Sequence, residues 1–174
     1  MKTILHNTDY LEAVVSLAGT LLMKHPGLEN TVLVGVQQGG VVLGWDLVRE
    51  IKKQAGLKEL ELGLLDITFY RDDFRTSVLA PDRMNIPFSI EDKNVILIDD
   101  VLYTGRTIKA ALDVLLDYGR PGRVELLVLA DRKEHRQFPI QADYVGLTVP
   151  TEKGQKLKLV AAEGGGHNLI LRDS

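Results

Sequence analysis

The sequence predicts an α/β fold built on a parallel sheet, and three observations point there. Short β-rich runs alternate with helix-length segments along most of the chain. Two of the runs, Thr31–Val36 and Asn94–Asp99, have the branched apolar composition of buried strands. The last third instead holds short strands around Gly164-Gly165-Gly166, the pattern of a small antiparallel appendage. In chain order, Asn7-Thr8-Asp9 offers N-caps for a helix to about His25, where Pro26-Gly27 stops it. The strand Thr31–Val36 runs toward Gly39-Gly40, and a helix follows from Val41 to about Gln54. Leu62 to Tyr70 reads as a strand, and Arg71 to Pro87 as a long exposed loop of the kind that serves as a lid. After the strand Asn94–Asp99 comes a helix from Gly105 to Tyr118, with apolar residues at 108, 111, 112, 115 and 116, ended by Gly119-Arg-Pro-Gly122. Arg123–Ala130 is a further strand, followed by Ala142–Leu147, Lys156–Ala162 and Asn168–Arg172.

Composition narrows the classes. The chain has 174 residues, enough for one domain with a real core, and no repeat or linker divides it. Hydrophobic residues make up 45% and charged residues 26%, with a mean hydropathy of +0.01, as in a soluble globular protein. The longest apolar runs, Val95–Ile98 and Leu126–Ala130, are far too short to span a bilayer. Residues Met1–Asn7 lack the apolar stretch of a secretory signal, so a cytoplasmic location is expected. There is no cysteine, which excludes disulfides and thiolate chemistry. The net charge of −3 gives bulk electrostatics no part in binding nucleic acid.

The informative stretch is Val95-Ile-Leu-Ile-Asp-Asp-Val-Leu-Tyr-Thr-Gly-Arg-Thr107. Its apolar strand delivers Asp99 and Asp100 to the carboxyl edge of the sheet, where α/β folds bind ligands. Thr104-Gly105-Arg106-Thr107 then opens a helix whose free N–H groups and threonine hydroxyls suit a phosphate dianion. Carboxylates beside a phosphate nest are what a ribose 5-phosphate needs. The same pattern fits two solvated loop acids before a routine N-cap, or the acidic strand of an ATPase. However, the chain has no Gly-Lys-Ser/Thr, and Gly35, Gly39 and Gly40 are wrongly spaced for a dinucleotide fold.

Residues 95–107 resemble the phosphoribosyl pyrophosphate (PRPP) signature of type I phosphoribosyltransferases. With tyrosine at 103, the stretch is similar to the pyrimidine-operon attenuator / uracil phosphoribosyltransferase family, PyrR. Asp66–Asp73, Asp117–Pro121, Leu129–Arg132, Ala142–Gly146 and Val149–Thr151 extend the resemblance along most of the chain. It implies one phosphoribosyltransferase domain over residues 1–174, with a Rossmann-like parallel sheet and a C-terminal β-hairpin. It also implies a hood at about 131–174 and a flexible loop at about 71–87 that closes over PRPP. Residue by residue, Asp99 and Asp100 would meet the ribose hydroxyls directly or through Mg²⁺. Tyr103, Thr104, Gly105, Arg106 and Thr107 would hold the 5-phosphate, and Gln37, Gln38, Gly39 and Gly40 the pyrophosphate. Tyr144 and Val145 would hold the base, Arg132 would lie near the base or pyrophosphate, and Arg71 and Arg75 would be lid cations. The implied reaction is displacement at the anomeric carbon with inversion, through an oxocarbenium-like transition state.

Two departures from the family pattern bear on function. The pyrophosphate loop usually reads Lys-Thr-Arg-Gly, and here Gln37-Gln38-Gly39-Gly40 carries neither cation. Purine enzymes place Asp where this chain has Tyr103 and a base-reading Lys where it has Asp131, which points to a pyrimidine, uracil. Three readings follow: a uracil phosphoribosyltransferase, a hypoxanthine/guanine enzyme, or a regulator with little or no turnover that senses PRPP or binds RNA. For RNA, Arg132, Lys133, His135 and Arg136 keep some of the family's basic charge, while Gln141 and Leu147 stand where it has Arg and Lys. A homodimer is implied by the resemblance. His6, His25 and His167 have no metal-ligand spacing, and Trp45 reads as a packing anchor.

Overall fold

The computed structural model describes residues 1–67 and 84–174. Arg71, Arg75 and most of the expected loop at 71–87 lie outside the described residues. The strands are β1 (Lys2–Leu5), β2 (Thr31–Val36), β3 (Leu62–Leu65), β4 (Met84–Asn85), β5 (Asn94–Leu102), β6 (Arg123–Asp131), β7 (Tyr144–Thr148), β8 (Lys156–Ala161) and β9 (His167–Arg172). The helices are α1 (Asn7–Lys24), α2 (Gln37–Ala55) and α3 (Arg106–Leu115).

The main sheet has the order β4-β3-β2-β5-β6-β7. Strands β3, β2, β5, β6 and β7 are parallel, and β4 runs antiparallel at the edge. Side-chain alternation on β5 builds both cores. Ile96 and Ile98 pack with α1 and α2 on one face, and Val95 and Leu97 pack with α3 on the other. A separate three-stranded antiparallel sheet has the order β1-β9-β8. Its β8–β9 hairpin turns through Gly164, Gly165 and Gly166, all at positive φ, where glycine carries no Cβ penalty.

Several boundaries differ from expectation. β5 continues to Leu102 because Val101 and Leu102 stay paired with Ala130 and Asp131. The strand at 144–148 belongs to the main sheet, parallel to β6, and not to the antiparallel appendage. β1 was not expected, and it completes the small sheet by pairing with β9. Asn7 does not cap α1: it accepts from His167 N–H and donates to Gly165 O, latching the hairpin turn. Trp45 is 47% exposed and stands off the buried face of α2, which is Gly40, Leu43, Gly44, Leu47, Val48 and Ile51.

Candidate active site

The sheet order reverses direction between β2 and β5. The chain passes from β2 outward to β3 and returns on the opposite side of β2. Such a switch point opens a crevice beyond the carboxyl ends of the two strands. Gln37–Gly40 leave the end of β2, and Asp99 and Asp100 sit near the end of β5. The two segments touch: a methyl group added to Gly39 would overlap the Asp100 carboxyl group.

Gln37–Gly40 are the first turn of α2, not a loop before it. Gln37 enters the turn at φ 53°, and Gly39 and Gly40 let the helix backbone lie against β5, where Gly40 abuts Ile98 O and Asp99 Cα. Val36, the residue before the helix, makes no side-chain cap, so the turn keeps backbone N–H donors for an anion. Gln37 and Gln38 line a pocket of about 270 Å³ with Asp66 and Asn85.

The carboxyl groups of Asp99 and Asp100, consecutive on β5, stay within hydrogen-bonding reach of one another. Asp99 is 4% exposed and lines a cavity of about 530 Å³. Asp100 lies over Gly39 on the α2 side. Asp100 N–H donates to Asp99 Oδ1 and Val101 N–H to Asp100 Oδ1, each at 2.9 Å, which fixes both carboxylates close to the strand. Burial pushes the Asp100 carboxyl above its usual range, against the pull of its hydrogen bonds.

The cavity is also lined by Tyr103, Thr104, Gly105, Thr107 and Arg132. Gly105 is the N-cap of α3 at φ 91°, and it offers no side-chain cap. Thr104 Oγ1 accepts from Arg106 N–H at 3.3 Å, and Thr104 O accepts from Gln137 and Phe138 N–H. The Arg106 side chain is turned away to Gln137 Oε1 at 2.9 Å and across the Phe138 ring. It braces the 137–138 segment and does not line the cavity.

Two of the expected base-binding residues are elsewhere. Tyr144 is 4% exposed in the core beside α1, where its hydroxyl donates to Glu125 Oε2 at 3.1 Å. Tyr144 and Val145 line a separate groove of about 260 Å³ with Ala13, Leu17 and Thr20 of α1. The parallel pairing of β7 with β6 puts them there, away from Asp99 and Thr104. Conversely, Lys156 and Leu157 of β8 line the large cavity and were not singled out in the sequence. Their Lys-Leu alternation was visible, but the face that meets the cavity depends on how the small sheet docks. Among the described residues no group of three or more His, Asp or Glu could hold a metal alone.

Residues 1–161 match the family described as the phosphoribosyl transferase domain. Over 156 residues the chain is 46% identical to the Bifunctional protein PyrR of Geobacter sp. (strain M21), covering 88% of this chain and 87% of that protein. It is 42% identical over 172 residues to the Bifunctional protein PyrR of Caldicellulosiruptor bescii, covering 98% and 93%. The hypoxanthine-guanine phosphoribosyltransferase of Bacillus anthracis superposes with a TM-score of 0.69 at 26% identity, over 87% of this chain and 84% of that one. The hypoxanthine phosphoribosyltransferase of Trypanosoma cruzi reaches a TM-score of 0.73 over 98% and 95%, and at 18% identity that likeness concerns the fold.

Proposed function

The chain belongs to the phosphoribosyltransferase family, among its PyrR members, and from that premise we propose that it transfers the ribose 5-phosphate of PRPP to uracil with release of pyrophosphate. The observation that carries this reading is a buried carboxylate, Asp99, in one cavity with Thr104, Gly105 and Thr107 at the start of α3. In this reading the uncapped helix N-terminus and the two threonine hydroxyls hold the 5-phosphate. Asp99 accepts a ribose hydroxyl and favours positive charge on the ring as the bond to pyrophosphate breaks. The N–H groups of Gln37–Gly40 take the pyrophosphate, in place of the cations this segment lacks.

Mg²⁺ fits the donor set. Asp99 and Asp100 offer only hard carboxylate oxygens, and a cation beside them would relieve the burial that pushes Asp100 up. With no third His or carboxylate grouped with them among the described residues, the ion would share oxygens of PRPP, as Mg²⁺ commonly does. When bound, it would neutralise charge on the leaving pyrophosphate.

Tyr103 supports a pyrimidine over a purine, since purine enzymes carry Asp at that place. Of the cations expected to serve the RNA reading, Lys133 is exposed, and the other three are buried or engaged within the chain. Arg132 is 2% exposed, and Arg136 is spent on Asp131 Oδ1 at 2.5 Å and on Tyr103 O. His135 lies 2.9 Å from Thr151 O. The test is pyrophosphate release from PRPP and Mg²⁺ with uracil, hypoxanthine, guanine or orotate in turn. Release with uracil alone supports the proposal. Release with a purine alone replaces the substrate, and release with none leaves a PRPP sensor.

A further inference from the structure

The turn that opens α3 is gripped from behind by residues 136–140, which pass across it as a strap. Tyr103 O accepts from Arg136 Nη1, and Thr104 O accepts from Gln137 N–H at 2.9 Å and from Phe138 N–H at 3.1 Å. Gly105 meets the strap through packing, since an added Cβ would lie 3.2 Å from Ile140 Cγ1 and 3.3 Å from Phe138 Cβ. Arg106 closes the contact: its Nε donates to Gln137 Oε1 at 2.9 Å, and its guanidinium lies 5.2 Å from the centroid of the Phe138 ring. Each residue of 103–106 is thus held by 136–140. The strap is itself anchored in the main sheet. Arg136 Nη2 donates to Asp131 Oδ1 at 2.5 Å, and Asp131, 2% exposed, is paired with Leu102.

Peptide geometry turns this grip into a direction. In a planar trans peptide the carbonyl of one residue and the N–H of the next point to opposite sides. With the Tyr103 and Thr104 carbonyls taken by the strap, the N–H groups of Thr104 and Gly105 point away from it. Both residues line the cavity of about 530 Å³, and no side chain caps the helix start. The strap therefore fixes the turn without occupying the donors that a side-chain cap would take. Resting on the placement of the 5-phosphate at this turn, we propose that Arg106 and Gln137 are positioning residues for it. Their bond holds the strap, the strap holds the two carbonyls, and the N–H nest stands formed before the phosphate arrives, which spares its ordering cost. In this arrangement the Arg106 charge acts on the strap and not on the phosphate.

Calorimetry with ribose 5-phosphate tests this on Arg106→Met, Gln137→Leu and the double variant, with Thr107→Val marking the cavity; none of it requires a base or turnover. Gln137 is exposed and neutral, so Gln137→Leu leaves every charge in place. It should weaken ribose 5-phosphate about fivefold while Tm stays within about 3 °C of wild type. Gln137→Glu keeps the acceptor and should bind within about twofold of wild type. Arg106→Met should match the leucine variant, and the double variant should bind no more weakly than either, because both break one tie. An Arg106→Met loss that Gln137→Leu does not share, or losses that multiply in the double variant, would make Arg106 a direct phosphate contact and overturn the proposal. If Thr107→Val weakens binding and Gln137→Leu does not, the phosphate site stands and the positioning role falls. If Thr107→Val leaves binding unchanged, the placement of the phosphate fails and takes the proposal with it.

Discussion

A methyl group added at Gly39 and one added at Gly40 should damage different properties of the protein. The two glycines are consecutive in the first turn of α2, and neither has positive φ, so an added Cβ acts through space rather than through backbone strain. At Gly39 it would overlap the Asp100 carboxyl group, lying 2.5 Å from Oδ1. That carboxylate is the end of a side chain and can rotate away. At Gly40 the Cβ would overlap Ile98 O and lie 3.0 Å from Asp99 Cα. Those atoms belong to the backbone of β5, held between β2 and β6 by parallel pairing, and cannot yield alone. Overpacking of this kind costs about 1–3 kcal/mol, or more against backbone, while alanine returns about 1 kcal/mol of helix propensity. Gly40→Ala should therefore lose about 2 kcal/mol, a fall in Tm of about 4–8 °C for a domain of this size. Gly39→Ala should keep its Tm within about 3 °C yet bind PRPP at least tenfold more weakly, because Asp100 is displaced. Thermal melts by circular dichroism and PRPP calorimetry on both variants decide it. A Gly40→Ala protein that melts like wild type, while Gly39→Ala loses stability, would refute the reasoning.

Three further outcomes follow from the same geometry. Burial raises the Asp100 carboxyl, so ionising it costs stability; the cost is full above its raised folded value and vanishes below the usual carboxylate value of about 3.9. Asp100→Asn should thus raise the ligand-free Tm at pH 7.5 by about 2–4 °C, with an advantage that fades toward pH 4, as melts across that range will report. Burial also pushes up the Glu125 carboxyl, but hydrogen bonds from Lys24, His25 and Tyr144 outweigh it and hold the group below its usual range. Its contribution is present above the ordinary glutamate value of about 4.3 and is lost as pH falls through the lowered folded value. Glu125→Gln should cost about 2 kcal/mol at pH 7 by denaturant unfolding, and less below pH 4. Finally, with Arg132 and Arg136 engaged internally, a gel shift with pyrimidine-leader RNA should show no salt-sensitive complex.

How far the site could be read from sequence depended on how local its causes are. β5 and the turn into α3 were legible because a run of apolar residues, two acids and Thr-Gly-Arg-Thr act within a few residues of one another. The start of α2 was misplaced because Gln-Gln-Gly-Gly has the propensity of a loop. The close approach of Gly40 to Ile98 and Asp99 gives these glycines a place in a packed helix, and that contact is between elements. Tyr144 was assigned to the base for a similar reason: alternation tells that a strand has an inner face, not that β7 would lie beside β6 with Glu125 waiting for the hydroxyl. β1 has only four residues, and its partner β9 is at the other end of the chain. Thr151 stood in a stretch that resembles the family, but Glu134 carries no motif, and its contacts with Thr151 emerge only in the fold.

Calorimetry of PRPP binding with and without Mg²⁺, on wild type, Asp99→Asn and Thr107→Val, tests the central claim most directly. The cavity at the end of β5 should give Mg²⁺-dependent binding of PRPP that each substitution weakens at least tenfold. Absent binding, or binding that survives both substitutions, would contradict the assignment of this cavity to the phosphoribosyl group.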